Sequence, residues 1–279
     1  DLKNKELRGQ VAIAYFDVST VGRSSGANAV ASAAYRHAAK MTNEITGETR
    51  SYEGKSAELV HEEVILPEGA PEWAVQRYGG EGVTEASERL WNDVELRENQ
   101  HSRRAQAQLA QSYTVALPRE LSLEQNVALI RGYIRDNLIA DGAVADLVVH
   151  DKGDGNPHAH IMTTMRTLGA AGLDQKIQSY MNRRQDITDK RFGWACYANY
   201  ALERAGFEAR IDHRRLEEQG IELEPTSYDP FVAANAEEAG QPARKKERAL
   251  EARKRNAALL VERPEHILVA LGARQAVFT

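Results

Sequence analysis

The sequence predicts an α+β fold, a central sheet with mixed or antiparallel pairing and helices packed against it. Strand-like runs interleave irregularly with helix-period segments, without the regular alternation that marks a doubly wound parallel sheet. Two of those runs, "ADLVVH" and "HAHIM", are separated only by the glycine-containing "DKGDGNP", the spacing of a hairpin. A length of 279 residues suits one large domain, or one domain with an appended helical segment.

Residues 1–10, "DLKNKELRGQ", lack the apolar stretch of a signal peptide and any pattern continuous with the strand after them, so they read as a leader ahead of the fold. "VAIAYFDV" (11–18) is a strand that ends at the turn-forming "STVGRSSG". In the alanine-rich stretch 25–41, Ala27, Val30, Ala31, Ala34, Ala38 and Met41 fall at helical spacing, which predicts a helix with a small-residue face. Residues 42–58 are polar and turn-rich, and "LVHEEVILP" is a short strand. Leu90, Trp91, Val94 and Leu109 predict a helix over 84–110, "SYTVALP" (112–118) is a strand stopped by Pro118, and a helix from Leu121 to about Leu138 precedes the hairpin. From "SYMNRR" onward the chain is helical and more basic, with a short insert "EARIDHRRLEEQGIELEPT". The charged helix "ARKKERALEARKRNAALL" is either a solvated face or a nucleic-acid contact.

Composition narrows the classes. The single Cys196 closes no intramolecular disulfide, which suits a reducing compartment, and no apolar run approaches the ~20 residues of a membrane span. The formal charge of -5 gives no global attraction to nucleic acid, so such binding must rest on local basic patches.

Three of the eight histidines lie within residues 148–162, "VVHDKGDGNPHAHIM". Side chains alternate along a strand, so His158 and His160 project together, and the hairpin brings His150 to meet them on the face it shares with Asp146 and Val148. Three neutral imidazoles around a point form an open metal site, with remaining positions for water or substrate. The competing reading is surface histidines near a turn. Asp146 is placed to orient His150 by accepting its other ring N–H, or else is a solvated strand carboxylate. Tyr35 is surrounded on its helix by Ala31, Ser32, Ala38 and Ala39, so its phenol can stand clear and reach a partner, although a lone tyrosine in such a place is more often a core aromatic. As a nucleophile it needs its proton removed or its charge stabilised by a cation.

The segments "AIAYFDVSTVGRSSGANAVASAAYRHAAKM", "RLWNDVELRENQ", "AQLAQSYTVALPREL", "HDKGDGNPHAHIMTTMR" and "RIDHRRLEEQGIELEPT" together resemble relaxases of the MobA/MobL (MobQ) family, in particular the N-terminal relaxase domain of TraA-like conjugation proteins. The likeness runs from about residue 11 to the end. It implies an HUH endonuclease fold, a largely antiparallel five-stranded sheet flanked by helices with a helical C-terminal extension, in which His158, Ala159 and His160 are the His-hydrophobe-His motif. His150 is then the third metal ligand and Tyr35 the catalytic nucleophile. The implied activity is metal-dependent, strand-specific nicking at a plasmid origin of transfer through a 5′-phosphotyrosine adduct, followed by religation. The ion would be Mg or Mn by cellular availability, while Zn, Ni, Co or Cu also suit three imidazoles.

Relatives commonly carry a carboxylate where this chain has Ser112, so that role is vacant or has moved to Asp146 or Glu95. Arg23, Arg36, Arg166, Arg183 and Arg184 are the candidate DNA contacts, each otherwise a solvated surface cation. The DNA is expected in a groove between the sheet and the basic C-terminal helices. Implied partners are single-stranded or extruded origin DNA, relaxosome accessory proteins and a type IV secretion coupling protein. The implied location is the bacterial cytoplasm, with export alongside the strand. On this reading residues 11–230 form the relaxase domain and 231–279 a charged helical extension toward a helicase module. The rival readings are an HUH replication initiator or transposase, a metal hydrolase that uses water, and a non-catalytic single-strand-binding module.

Overall fold

The computed structural model describes residues 15–80, 82–177 and 183–214, with residues 218, 251, 252 and 255 beyond them. The expected leader and most of the expected charged extension lie outside these residues. The main sheet has the order β1-β5-β7-β6-β4, built from β1 (Phe16–Gly22), β4 (Leu59–Ile65), β5 (Gln108–Ala116), β6 (Ala145–His150) and β7 (His158–Thr164). Every neighbouring pair is antiparallel, as the sequence led us to expect. Two small ribbons accompany it, β2 (Lys40–Thr42) with β3 (Thr49–Ser51) and β8 (Arg166–Gly169) with β9 (Gly172–Lys176).

Alternation along the central strands divides the core in two. Ala145, Leu147 and Val149 of β6, with Ala159 and Ile161 of β7, face one cluster, closed by α4 (Leu123–Asn137) through Ile130, Tyr133 and Ile134 and by α5 (Arg183–Arg204) through Trp194, Ala198 and Leu202. The two helices touch closely: a Cβ on Gly193 would sit 2.8 Å from Asn137 Oδ1. Met162 and Leu109 face the other cluster, covered by α1 (Ala29–Arg36), α2 (Glu72–Tyr78) and α3 (Val83–Asn99). The histidine-bearing side of β6 and β7 lies on this second face. Helix α4 begins at a reciprocal capping box between Ser122 and Gln125, and α1 begins where the Asn28 side chain accepts the Ala31 N–H.

The structure departs from expectation at element ends. Strand β1 continues through Ser19 and Thr20, which pair with Ser112 and Gln111, because ladder pairing outweighs the turn preference of single residues. The predicted helix over 84–110 stops at Asn99, and Leu109, which fits a helical period, is instead a fully buried residue of β5. Helix α1 is only eight residues long; Ala38, at φ 49°, turns the chain into β2, where Met41 is buried. The small ribbons and α2 leave no periodic signal long enough to read.

Candidate metal centre and nucleophile helix

The turn between β6 and β7 is built to bring three imidazoles together. Asp151 Oδ1 accepts the Gly153 N–H at 2.8 Å and Asp154 Oδ1 accepts the Asn156 N–H at 3.1 Å, while Gly153 (φ 72°) and Gly155 (φ 84°) occupy left-handed backbone that a side chain would strain. In the resulting register His150 lies opposite His158, and Val148 opposite His160. The ring centroids are 5.0 to 5.7 Å apart, and one ring nitrogen of each histidine lies within 4.8 Å of the others. That donor set can hold one metal ion.

Two of the rings are locked by the nitrogen that faces away. His150 Nε2 donates to the Arg36 carbonyl at 2.7 Å, and His158 Nδ1 donates to the Asn156 carbonyl at 3.0 Å, so the remaining nitrogen of each carries a lone pair. His160 Nδ1 lies 3.3 Å from the Thr114 hydroxyl of the adjacent strand. Burial pushes all three rings below the ordinary histidine pKa, His160 furthest, with the neighbouring positive charges adding to the effect. Neutral imidazole is the ligating form.

The His150 bond to Arg36 also ties this cluster to the end of α1. The last carbonyls of a helix lack partners within it, and here a histidine of the cluster satisfies one of them. Tyr35, the residue before, is half-buried, and its ring meets Tyr52 edge to face at 5.3 Å between centroids. The residue after, His37, is buried between two carboxylates, with Nδ1 2.7 Å from Glu62 and Nε2 2.8 Å from Asp146. Burial alone would lower its pKa, but the charge of Asp146 and the bonds to Asp146 and Glu62 outweigh that and raise it to about 9. His37 is thus an imidazolium at a helix C-terminus, where positive charge is favoured.

Several sequence expectations change here. Asp146 does not orient His150: the two lie four positions apart along β6, a rise of roughly 13 Å. Its oxygens instead take His37 Nε2, the Ser87 hydroxyl at 2.6 Å and Trp91 Nε1 at 2.7 Å. Burial would raise its carboxyl, yet the His37 charge and these donors hold it below the usual range. Glu95 sits at the opposite end of α1 from Tyr35, where it accepts the Ala29 N–H at 2.9 Å and pairs with Arg23 at 2.5 Å. Arg23 and Arg166 are consequently structural cations rather than solvated ones; Arg166 is buried between Glu98 at 2.6 Å and the Asp174 carbonyl at 2.5 Å. Arg183 and Arg184 open α5, and their side chains lie outside those described. The expected groove between the sheet and the basic helices is not formed by α5, which packs on the face away from the histidines. Ser112 accepts from Arg36 Nη2 at 2.8 Å.

Sequence reasoning missed His37, Tyr52, Glu62 and Ser87. Only His37 carried a signal, its place two residues after Tyr35.

Comparison with known proteins places the chain in a family and its fold beside a solved structure. The family model described as MobA/MobL family matches residues 27–239. A relative described as "Probable conjugal transfer protein TraA" from Sinorhizobium fredii is 36% identical over 294 aligned positions, covering 96% of this chain and 26% of the relative. The "Mobilization protein MobL" of Acidithiobacillus ferridurans is 31% identical over 270, covering 85% of this chain and 67% of the relative. The chain spans only 21 to 26% of the TraA relatives it matches. Among solved structures, the one described as "Molecular Basis of Vancomycin Resistance Transfer in Staphylococcus aureus" superposes with a TM-score of 0.61 at 24% identity, over 72% of this chain and 98% of that one, and shares its fold. On the family match and these identities, the chain belongs to the MobA/MobL family.

Proposed function

We propose that this chain is a relaxase, an endonuclease that nicks one strand of plasmid DNA at an origin of transfer through Tyr35 and later rejoins the ends. The observation that carries the reading is the His150 bond to the Arg36 carbonyl, which couples an open three-histidine site to the helix that bears Tyr35. The donor set fits a divalent first-row ion: His150 and His158 each keep one ring nitrogen free of other bonds, and no carboxylate is needed to complete three ligands. Bound there, such an ion supplies Lewis acidity toward a phosphate oxygen.

In the step proper, the Tyr35 oxygen attacks phosphorus, the P–O3′ bond breaks, and the phenol proton ends on the released 3′ oxygen, directly or by way of water. Phosphodiester is exchanged for phosphodiester, so neither electrons nor a nucleotide cofactor is consumed. Relaxosome accessory proteins and a secretion coupling protein are the expected partners. Among the described residues no helix is long and apolar enough to cross a membrane.

The test is incubation of the protein and Mn²⁺ with labelled single strands that tile the DNA flanking its own gene, followed by denaturing electrophoresis. A protease-sensitive shifted band that disappears in Tyr35→Phe is expected. Binding with no adduct would point to a single-strand-binding module, and cleavage that survives Tyr35→Phe to hydrolysis by water. Preference for a replication origin or transposon end over transfer DNA would favour an initiator or transposase.

A further inference from the structure

Beside the histidines lies a cation whose hydrogen-bond acceptors, among the described residues, carry no charge. Arg36 donates from Nη1 to the Ser32 carbonyl at 2.7 Å and from Nη2 to the Ser112 hydroxyl at 2.8 Å, and its Nε is enclosed without a partner. Both acceptors are uncharged. The other buried cations of this side are matched: Arg23 by Glu95, Arg166 by Glu98, His37 by Glu62 and Asp146. Among the described residues no carboxylate pairs with Arg36, and Asp146, which acts on it only at longer range, is already held by three donors. A guanidinium cannot shed its proton at any working pH, so an enclosed and unmatched one is completed by an anion from outside.

Its position says which anion. Ser112 and Thr114 are alternate residues on one face of β5, and Thr114 is the residue that meets His160. The guanidinium held by Ser112 therefore sits one strand step along the same face from the residue that meets the His160 ring. Arg36 also directly follows Tyr35, and the residue as a whole is only half-buried.

We propose that Arg36 is a catalytic residue whose guanidinium binds the non-bridging oxygens of the phosphodiester that Tyr35 attacks, with Ser112 as the uncharged bracket that aims it. The inference rests on the nickase reading above. As the Tyr35 O–P bond forms and the P–O3′ bond breaks, charge grows on those oxygens, and the fork of N–H donors answers it without giving up a proton. Serine at 112 holds one N–H and leaves the cation's charge free for phosphate. A carboxylate there would cancel it.

The experiment compares wild type, R36Q, R36K, S112A and S112D, all with Mn²⁺, on a labelled strand that wild type cleaves. It measures single-turnover cleavage, metal-free binding by fluorescence anisotropy, and melting temperature. R36Q and S112D are expected to cleave on the order of 100-fold more slowly, with R36K intermediate and S112A nearest wild type. Binding and melting should change far less than cleavage. S112D cutting at the wild-type rate would overturn the inference, as would an R36Q loss that binding or melting fully accounts for. If wild type cleaves and R36Q is unimpaired, only this inference fails. If wild type forms no adduct with any strand, the nickase reading fails and takes this one with it.

Discussion

His37 shows how much a single residue's environment decides. Both of its ring nitrogens face carboxylate oxygens, an arrangement that only the protonated ring satisfies with two donors. Its pKa is raised from 6.5 to about 9, so its contribution to stability is complete below pH ~6.5 and is lost as the pH climbs through about 9. The shift corresponds to about 3 kcal/mol. Chemical denaturation at pH 6 and pH 9.5 should show wild type losing stability on that scale, while His37→Gln, less stable at pH 6, shows little change over the same interval. None of this pairing was legible in the sequence, because Glu62 and Asp146 come from strands β4 and β6, 25 and 109 positions away. The histidine cluster was legible, because its members fall on two strands joined by a short turn and alternation alone puts them on one face.

At the level of elements, the β6–β7 turn sets the cluster's geometry. Gly155 has no Cβ neighbour within 4 Å, so Gly155→Ala should act through its positive φ and not through a clash. The expected cost is about 1 kcal/mol in denaturant melts, with weaker Mn²⁺ binding by calorimetry because the His158 carrier strand is re-aimed. An unchanged metal affinity would separate the turn from the site. Removal of the α4 capping box by Ser122→Ala should also cost about 1 kcal/mol. Since α4 lies on the far face, that change should leave metal binding untouched. Existence and type of the long elements followed from periodicity, whereas their ends did not: Leu109 satisfies a helical period and a strand alternation equally, and only the pairing of its neighbours in β5 with β1 and β7 settles it.

For the whole molecule, the division into two clusters separates stability from chemistry. One face of the sheet is closed by α4 and α5 over an apolar core, and the other carries buried charge and the histidines under α1, α2 and α3. A site assembled only in the folded chain makes metal a stabiliser: free Mn²⁺ at 100 times its dissociation constant should add about 2.7 kcal/mol, visible as a raised melting temperature that His158→Ala abolishes. A melting temperature indifferent to Mn²⁺ in wild type would mean that the ring nitrogens take no such ion. The bond from His150 to the last carbonyl of α1 carries this further. Whatever steadies that ring also steadies the end of the helix, so chelation should be legible as faster amide deuterium uptake around residues 36–39, well before any loss of global structure. The protein would then report an empty site through the backbone beside its nucleophile.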